Sequence, residues 1–215
     1  MITGMKRKFG AFFVVLGILL MLAAAVLLVH NRQESQNAFQ ASQSVLSAMQ
    51  TSADKETDET ATIVDPYLDH VDPYDQFAAE IAAEMTEVEI DGELYIGYLT
   101  IPVLELELPV ISEWSYERLR IAPCRQFGST KTDDLVIAAH NYASHFGKLS
   151  QLRPGDLLTF SDMESDVILY EVSAMDILEP TAVETVKNSN FDLVLYTCTY
   201  GGETRVAVFC SRIKG

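Results

Sequence analysis

The sequence predicts a mostly-β protein: a closed β-barrel of about seven to eight strands with short helices, preceded by an N-terminal transmembrane helix. Three observations lead there. From residue 94 onward, β-branched and apolar runs recur at regular intervals between turn residues, at 94–101, 106–111, 135–139, 157–160, 167–177, 193–197 and 204–210. Near the N-terminus an uncharged apolar run covers 9–29 and follows the basic trio Lys6, Arg7 and Lys8. Between these regions lies a polar, then acidic, stretch with no sustained apolar face. The resulting division is a basic N-terminus and membrane anchor at 1–30, a stalk and lead-in at 31–84, and a globular β domain at 85–215.

At 1.5 Å per helical residue, the apolar run is long enough to cross a hydrocarbon core of about 30 Å. Basic residues precede it and only Arg32 follows closely. The positive-inside rule therefore puts the N-terminus in the cytoplasm and the rest of the chain outside, with membrane lipid as a partner of the helix. Ala23, Ala24 and Ala25 are the small residues a signal peptidase needs, but the apolar run continues to Val29, past any such site. The segment reads as an uncleaved single-pass anchor.

The stretch that follows is rich in Gln, Ser, Thr and Ala, with a weak helical stripe of Phe39, Leu46 and Met49. Next come two copies of Val-Asp-Pro-Tyr, at 64–67 and 71–74, and then a short helical pattern at 76–85. Asp-Pro is a common turn starter, which is the simplest reading of the repeat. Further short helical pieces are expected at 116–120 and 145–152.

The formal charge of −16 excludes a nucleic-acid partner, since holding phosphates needs clustered Lys and Arg. There is no Cys-x-x-Cys, no His-Glu-x-x-His and no calcium-loop spacing, and Gly201-Gly202 is too little for a phosphate loop. No metal and no cofactor are expected.

The chemistry is carried by strand ends. Leu193, Val194 and Leu195 have the pattern of a strand buried on both faces, and Cys198 ends it. Tyr200, Gly201 and Gly202 supply a turn, and Arg205 opens the next strand. Neighbouring strands lie roughly 4.8 Å apart, so thiol and guanidinium can meet. A cation beside a thiol favours the thiolate, which is the nucleophilic form. Upstream, the buried-looking strand 135–139 runs directly into His140. A nucleophile, an acid/base and a positively charged stabiliser of a developing oxyanion make up a cysteine acyl-transfer site. Among the other histidines, His30 and His70 lie outside the domain, and His145 is expected to face solvent or cap the Phe146 cluster.

Here the chain resembles the sortases, cysteine transpeptidases of Gram-positive cell surfaces. The sortase pattern Thr-Leu-x-Thr-Cys, with an Arg on the next strand, stands as Val194-Leu195-Tyr196-Thr197-Cys198 and Arg205; Val194 replaces the first Thr. The Gly-His-Asn pattern with a following Phe and Leu stands as Ala139-His140-Asn141 with Phe146 and Leu149; Ala139 replaces the Gly. Gly97-Tyr98-Leu99-Thr100-Ile101-Pro102 also looks like the family's first strand.

The resemblance implies a sortase barrel whose Cys198 attacks a Leu-Pro-x-Thr-Gly-like sorting signal. His140 then protonates the leaving amine, and Arg205 steadies the oxyanion or the peptide. It also implies an amine acceptor, either from a cell-wall precursor or from a pilin lysine. Thr197, Asn141 and Tyr200 are candidates for orienting the site or touching substrate. Pilus-assembling sortases carry an Asp-Pro-aromatic lid, the second reading of the repeat. The absence of a second apolar span before Gly215 differs from many of them, while His140-Asn141-Tyr142 with Phe146 is nearer the class B manner. The alternatives are a cysteine hydrolase that transfers to water and a non-catalytic binding module on the same barrel.

The three cysteines leave at least one thiol unpaired or paired between chains. Strand alternation puts Cys210 on the face opposite Arg205, and Cys124, in a loop-like segment, is its possible disulfide partner only if the fold brings the two within reach.

Overall fold

A computed structural model describes residues 3–53 and 84–214. The chain divides into two compact units, Met1–Asn37 and Ala38–Gly215. In the first, the helix α1 (Thr3–Ala53) begins, and large apolar side chains from Leu16 to Val29 are exposed. The helix is long and apolar enough to cross a membrane. The Asp-Pro-Tyr repeat and most of the helical pattern at 76–85 lie outside the described residues, and Glu84 and Met85 are not helical.

In the second unit, the end of α1 buries Ala38, Ser42, Val45, Leu46 and Met49, the spacing of one helical face. Val45 and Met49 pack with Tyr95, Ile111, Leu119 and Ala122 on the barrel. The stripe read from the sequence is thus partly right: Leu46 and Met49 are inside, whereas Phe39 is exposed.

The strands are β1 (Val88–Ile90), β2 (Glu93–Ile101), β3 (Leu106–Ile111), β4 (Cys124–Phe127), β5 (Leu135–Ala138), β6 (Leu157–Asp162), β7 (Val167–Leu178), β8 (Leu193–Cys198) and β9 (Arg205–Arg212). A short helix, α2 (Val183–Lys187), precedes β8, and 3₁₀ turns occupy Pro102–Leu104, Arg118–Arg120 and Phe146–Gln151. The order β2-β3-β4-β5-β8-β9-β7-β6 closes on itself through β6 and β2, giving an eight-stranded barrel. β1 hangs on β2 as a hairpin whose turn, Asp91-Gly92, has both residues at positive φ (53° and 83°). Asp-Gly is the pair suited to such a turn.

The barrel interior is filled from alternate positions, seen most plainly along β7, where Ile168, Tyr170 and Val172 point inward. β5 and the start of β8 read as unbroken apolar runs because both faces are covered. Leu135, Ile137, Leu193 and Leu195 enter the interior, while Val136 and Val194 pack outside it with Val186 of α2 and Phe209. β5 and β8 pair in parallel, Leu135 with Leu193 through Ala138 with Tyr196. Their C-terminal ends therefore lie side by side.

Several expectations are corrected. Cys124 opens strand β4 rather than sitting in a loop; Pro123 breaks the apolar pattern, yet its carbonyl accepts the Ile111 N–H at 2.9 Å and carries the chain into the sheet. The Cys124–Cys210 pairing, left conditional on reach by the sequence, does not form, because Cys124 packs in the cluster under α1 and Cys210 inside the barrel; all three cysteines are free. His145 does not face solvent, since it begins the 3₁₀ turn whose Phe146 and Leu149 plug the barrel and is drawn in with them to 0% exposure.

Candidate active site

Cys198 is the last residue of β8, and its cross-strand partner is Arg205, the first of β9. The loop between them is closed by the Thr199 N–H donating to the Thr204 carbonyl (2.9 Å) and the Gly202 N–H donating to the Thr199 carbonyl (2.8 Å). Arg205 Nη1 donates to the carbonyls of Gly202 and Thr204, both at 3.0 Å. The guanidinium is thereby pinned to its own loop, and its remaining donors have no partner among the described residues.

Carrying the parallel register of β5 and β8 past Ala138 and Tyr196 sets His140 beside Cys198. Two hydrogen bonds hold this junction: the Ala139 N–H donates to the Tyr196 carbonyl (3.2 Å), and the Thr197 hydroxyl donates to the Ala139 carbonyl (2.8 Å). Thr197 is 3% exposed and ties the nucleophile's strand to the residue before His140. Asn141 Nδ2 donates to the Thr199 carbonyl at 3.3 Å, so it joins the histidine loop to the cysteine loop.

His140, Thr197, Cys198 and Arg205 line one cleft of about 300 Å³; Asn141 and Tyr200 do not. Tyr200 stands fully in solvent at the tip of the β8–β9 turn. The cleft is walled on one side by Trp114, Tyr116 and Leu119, before β4, and on the other by Leu178, Pro180 and Val183, leading into α2. These walls suit an apolar, extended peptide, with few polar groups to fix it. Strand alternation on β8 places Tyr196 on the same face as Cys198, and its hydroxyl donates to Gln126 Oε1 in the cleft. Burial pushes the Tyr196 phenol up to about 12, against the pull of Arg205. The β8 alternation in the sequence contains the signal for Tyr196. Nothing local marks Trp114, Gln126 or Val183, which reach the cleft only through the barrel's closure.

Away from the cleft, three carboxylates meet in the β6–β7 turn, where Asp162, Glu164 and Asp166 bring ligand-type oxygens within 4.8 Å of one another. Two of them are already engaged: Asp162 Oδ1 accepts the N–H groups of Glu164 and Asp166 at 2.9 Å, and Glu164 faces Lys131 at 3.3 Å.

A model of the sortase domain matches residues 99–213, more than half of the chain. The chain belongs to the sortase family. Similar solved structures include sortase C1 from Streptococcus suis, with a TM-score of 0.51 and 24% identity over 70% of this chain and 90% of that one. Sortase C-1 from Actinomyces oris superposes with a TM-score of 0.51 and 23% identity, covering 79% of this chain and 99% of that one. Sortase C from Streptococcus pneumoniae gives 0.50 and 21%, covering 85% and 90%. At these identities the likeness is one of fold, and it agrees with the closed barrel and short helices expected from the sequence. No curated protein sequence matches the chain significantly. The matched stretch of the sortase domain contains His140, Thr197, Cys198 and Arg205.

His145 of this sortase is buried with neither ring nitrogen hydrogen-bonded, and desolvation, then the nearby His140, push it down to about 4. The Ile121 backbone, too poorly placed for a hydrogen bond, offsets only part of this. As pH falls below the ordinary 6.5, the unfolded chain takes up a proton that the folded one refuses, so stability is lost between about 6.5 and about 4. The loss at the lower limit is roughly 3 kcal/mol. Denaturant melts over this range should show the fall. His145→Leu, which fills a similar volume with nothing to protonate, should remove His145's share of it.

Proposed function

We propose that the protein is a membrane-anchored cysteine transpeptidase that cleaves a Leu-Pro-x-Thr-Gly-like sorting signal and transfers its acyl part to an amine. The observation that carries this reading is that His140, just past the end of β5, and Cys198, at the end of its parallel partner β8, line one cleft, with Arg205 as the cross-strand neighbour of the cysteine. The Cys198 thiolate attacks the scissile carbonyl, and the tetrahedral oxyanion forms beside the free donors of Arg205. The carbon–nitrogen bond then breaks as protonated His140 gives its proton to the departing amine, leaving a thioester on Cys198. An incoming amine, from a cell-wall precursor or a pilin lysine, attacks the thioester while neutral His140 takes its proton and the thiolate leaves. The apolar walls of the cleft receive the Leu-Pro part of the signal. The basic trio in the first turns of α1, ahead of its apolar run, holds the N-terminus in the cytoplasm and the sortase domain outside, on the lipid-facing anchor.

Incubating the protein with a sorting-signal peptide, with and without an amine acceptor, and reading products by mass spectrometry tests this. The expected product is the amide of the acyl fragment with the added amine. Carboxylic acid alone, undiminished by any acceptor, would make the protein a hydrolase, and no cleavage at all would leave a binding module.

Arg205→Lys keeps the charge but loses the planar fork. If directed hydrogen bonds hold the oxyanion, turnover of this variant should fall by about 10²- to 10³-fold, the loss seen for one oxyanion donor. Near-parent turnover in Arg205→Ala, with melting unchanged, would remove Arg205 from the catalytic set.

A further inference from the structure

The residues after β5 form a tight loop that returns on itself below His140. The Phe146 N–H donates to the His140 carbonyl (3.1 Å), and the N–H groups of His145 and Gly147 both donate to the Tyr142 carbonyl (3.0 and 2.9 Å). Gly147 is needed for this closure, since a Cβ there would lie 2.6 Å from the Asn141 carbonyl oxygen and 2.7 Å from that of Tyr142. Phe146 and Leu149, both fully buried, anchor the loop in the barrel. The backbone therefore fixes where the Tyr142 ring stands. It touches two imidazoles, with ring centroids 4.8 Å from His140 at an interplanar angle of 31°, and 5.5 Å from His145 at 41°. Tyr142 is not among the residues lining the cleft. Its ring meets His140 away from substrate.

We propose that Tyr142 is a positioning residue for His140: backed by the buried His145 ring, its face holds the His140 imidazole in the cleft and supports it when it carries the proton destined for the leaving amine. This rests on the reading of His140 as the proton carrier. The need for such support comes from the neighbours. The titratable or charged groups sharing the cleft with His140 are Cys198 and Tyr196 on β8, Arg205 on β9, Glu179 in the β7–β8 connection and Tyr116 before β4. Arg205 opposes a second positive charge there, and the Glu179 carboxylate offsets it only in part across the cleft. An aromatic face within about 6 Å attracts one, because the ring quadrupole is negative above its plane. His145 packs against Tyr142 without adding charge, for its burial keeps it neutral at any pH well above 4.

The protein has four histidines, so an imidazole-selective NMR titration of the whole chain gives a small set of resonances, and His140→Gln assigns that of His140 by its loss. In Tyr142→Leu the His140 titration midpoint should fall by about 0.5 to 1 unit, the scale of a lost cation–π contact. Its kcat for peptide-to-amine transfer should fall by about 3- to 10-fold with KM unchanged, as expected of a group that never touches substrate. Tyr142→Phe keeps the ring and should restore both readings. A parental midpoint and kcat in Tyr142→Leu, or a Phe variant as impaired as the Leu variant, would overturn the proposal. Parental transfer by His140→Gln would instead overturn the reading of His140, while the NMR titration would still report whether Tyr142 holds its ring.

Discussion

Cys198→Ala should yield a folded protein that forms no acyl adduct with a sorting-signal peptide and transfers nothing to an amine. Removing the nucleophile of a catalytic unit costs on the order of 10⁶-fold in kcat, so no residual turnover above background is expected. The other two cysteines cannot substitute. Cys124 and Cys210 are both buried at 0% exposure, and desolvation raises each thiol to about 12, leaving almost no thiolate at neutral pH. Cys198 is partly exposed and lines the cleft. A peptide carrying an electrophile in place of the scissile bond should therefore label Cys198 alone, and tryptic mapping of the adduct checks this. An adduct on Cys124 or Cys210 in the native protein would move the nucleophile elsewhere and undo the assignment. Cys198 is not a core residue of the barrel's interior, so the melting temperature of the variant should stay close to that of the parent.

How much of this was legible in the sequence depends on how local each contact is. Cys198 and Arg205 are joined by a short turn containing Gly201 and Gly202, so their pairing follows from hairpin geometry alone. His140 stands out because an apolar run ends on it. That it lies beside Cys198 is another matter, for the parallel pairing of β5 and β8 crosses β6, β7 and α2. No periodicity encodes such a contact; the motif resemblance implied it, and the register supplies it. β4 leaves no mark in the sequence because it is only four residues long and follows a proline, too brief to show alternation. The burial of His145 is hidden for a related reason: a 3₁₀ turn has no apolar stripe to reveal which residues it buries, and Phe146 and Leu149 carry their polar neighbour inward with them. The cleft walls were the least legible, because Trp114, Tyr116 and Val183 come from connections whose positions are set only when the barrel closes.

His140→Ala should lower transfer by about 10²- to 10⁴-fold, the range of general acid/base catalysis. Both half-reactions need the proton it carries, so neither thioester formation nor aminolysis escapes the loss. Burial of His145 makes the comparison with His145→Ala sharper than exposure would have. That change should also reduce activity in a heat-sensitive way, because emptying a buried ring site costs about 2 kcal/mol or more and loosens the loop that bears Tyr142 and His140. The two losses differ in kind. At low temperature, where His145→Ala is folded, its kcat should lie no further below the parent than the roughly 3- to 10-fold expected of Tyr142→Leu, while His140→Ala stays about 10²- to 10⁴-fold down at every temperature at which it is folded. Steady-state rates across temperature, set against the melting curve of each variant, separate them. If His145→Ala were fully folded and still as inactive as His140→Ala, the proton would have to pass through the buried imidazole. The cleft geometry opposes that, since His140 lines the cleft with Cys198 and His145 does not.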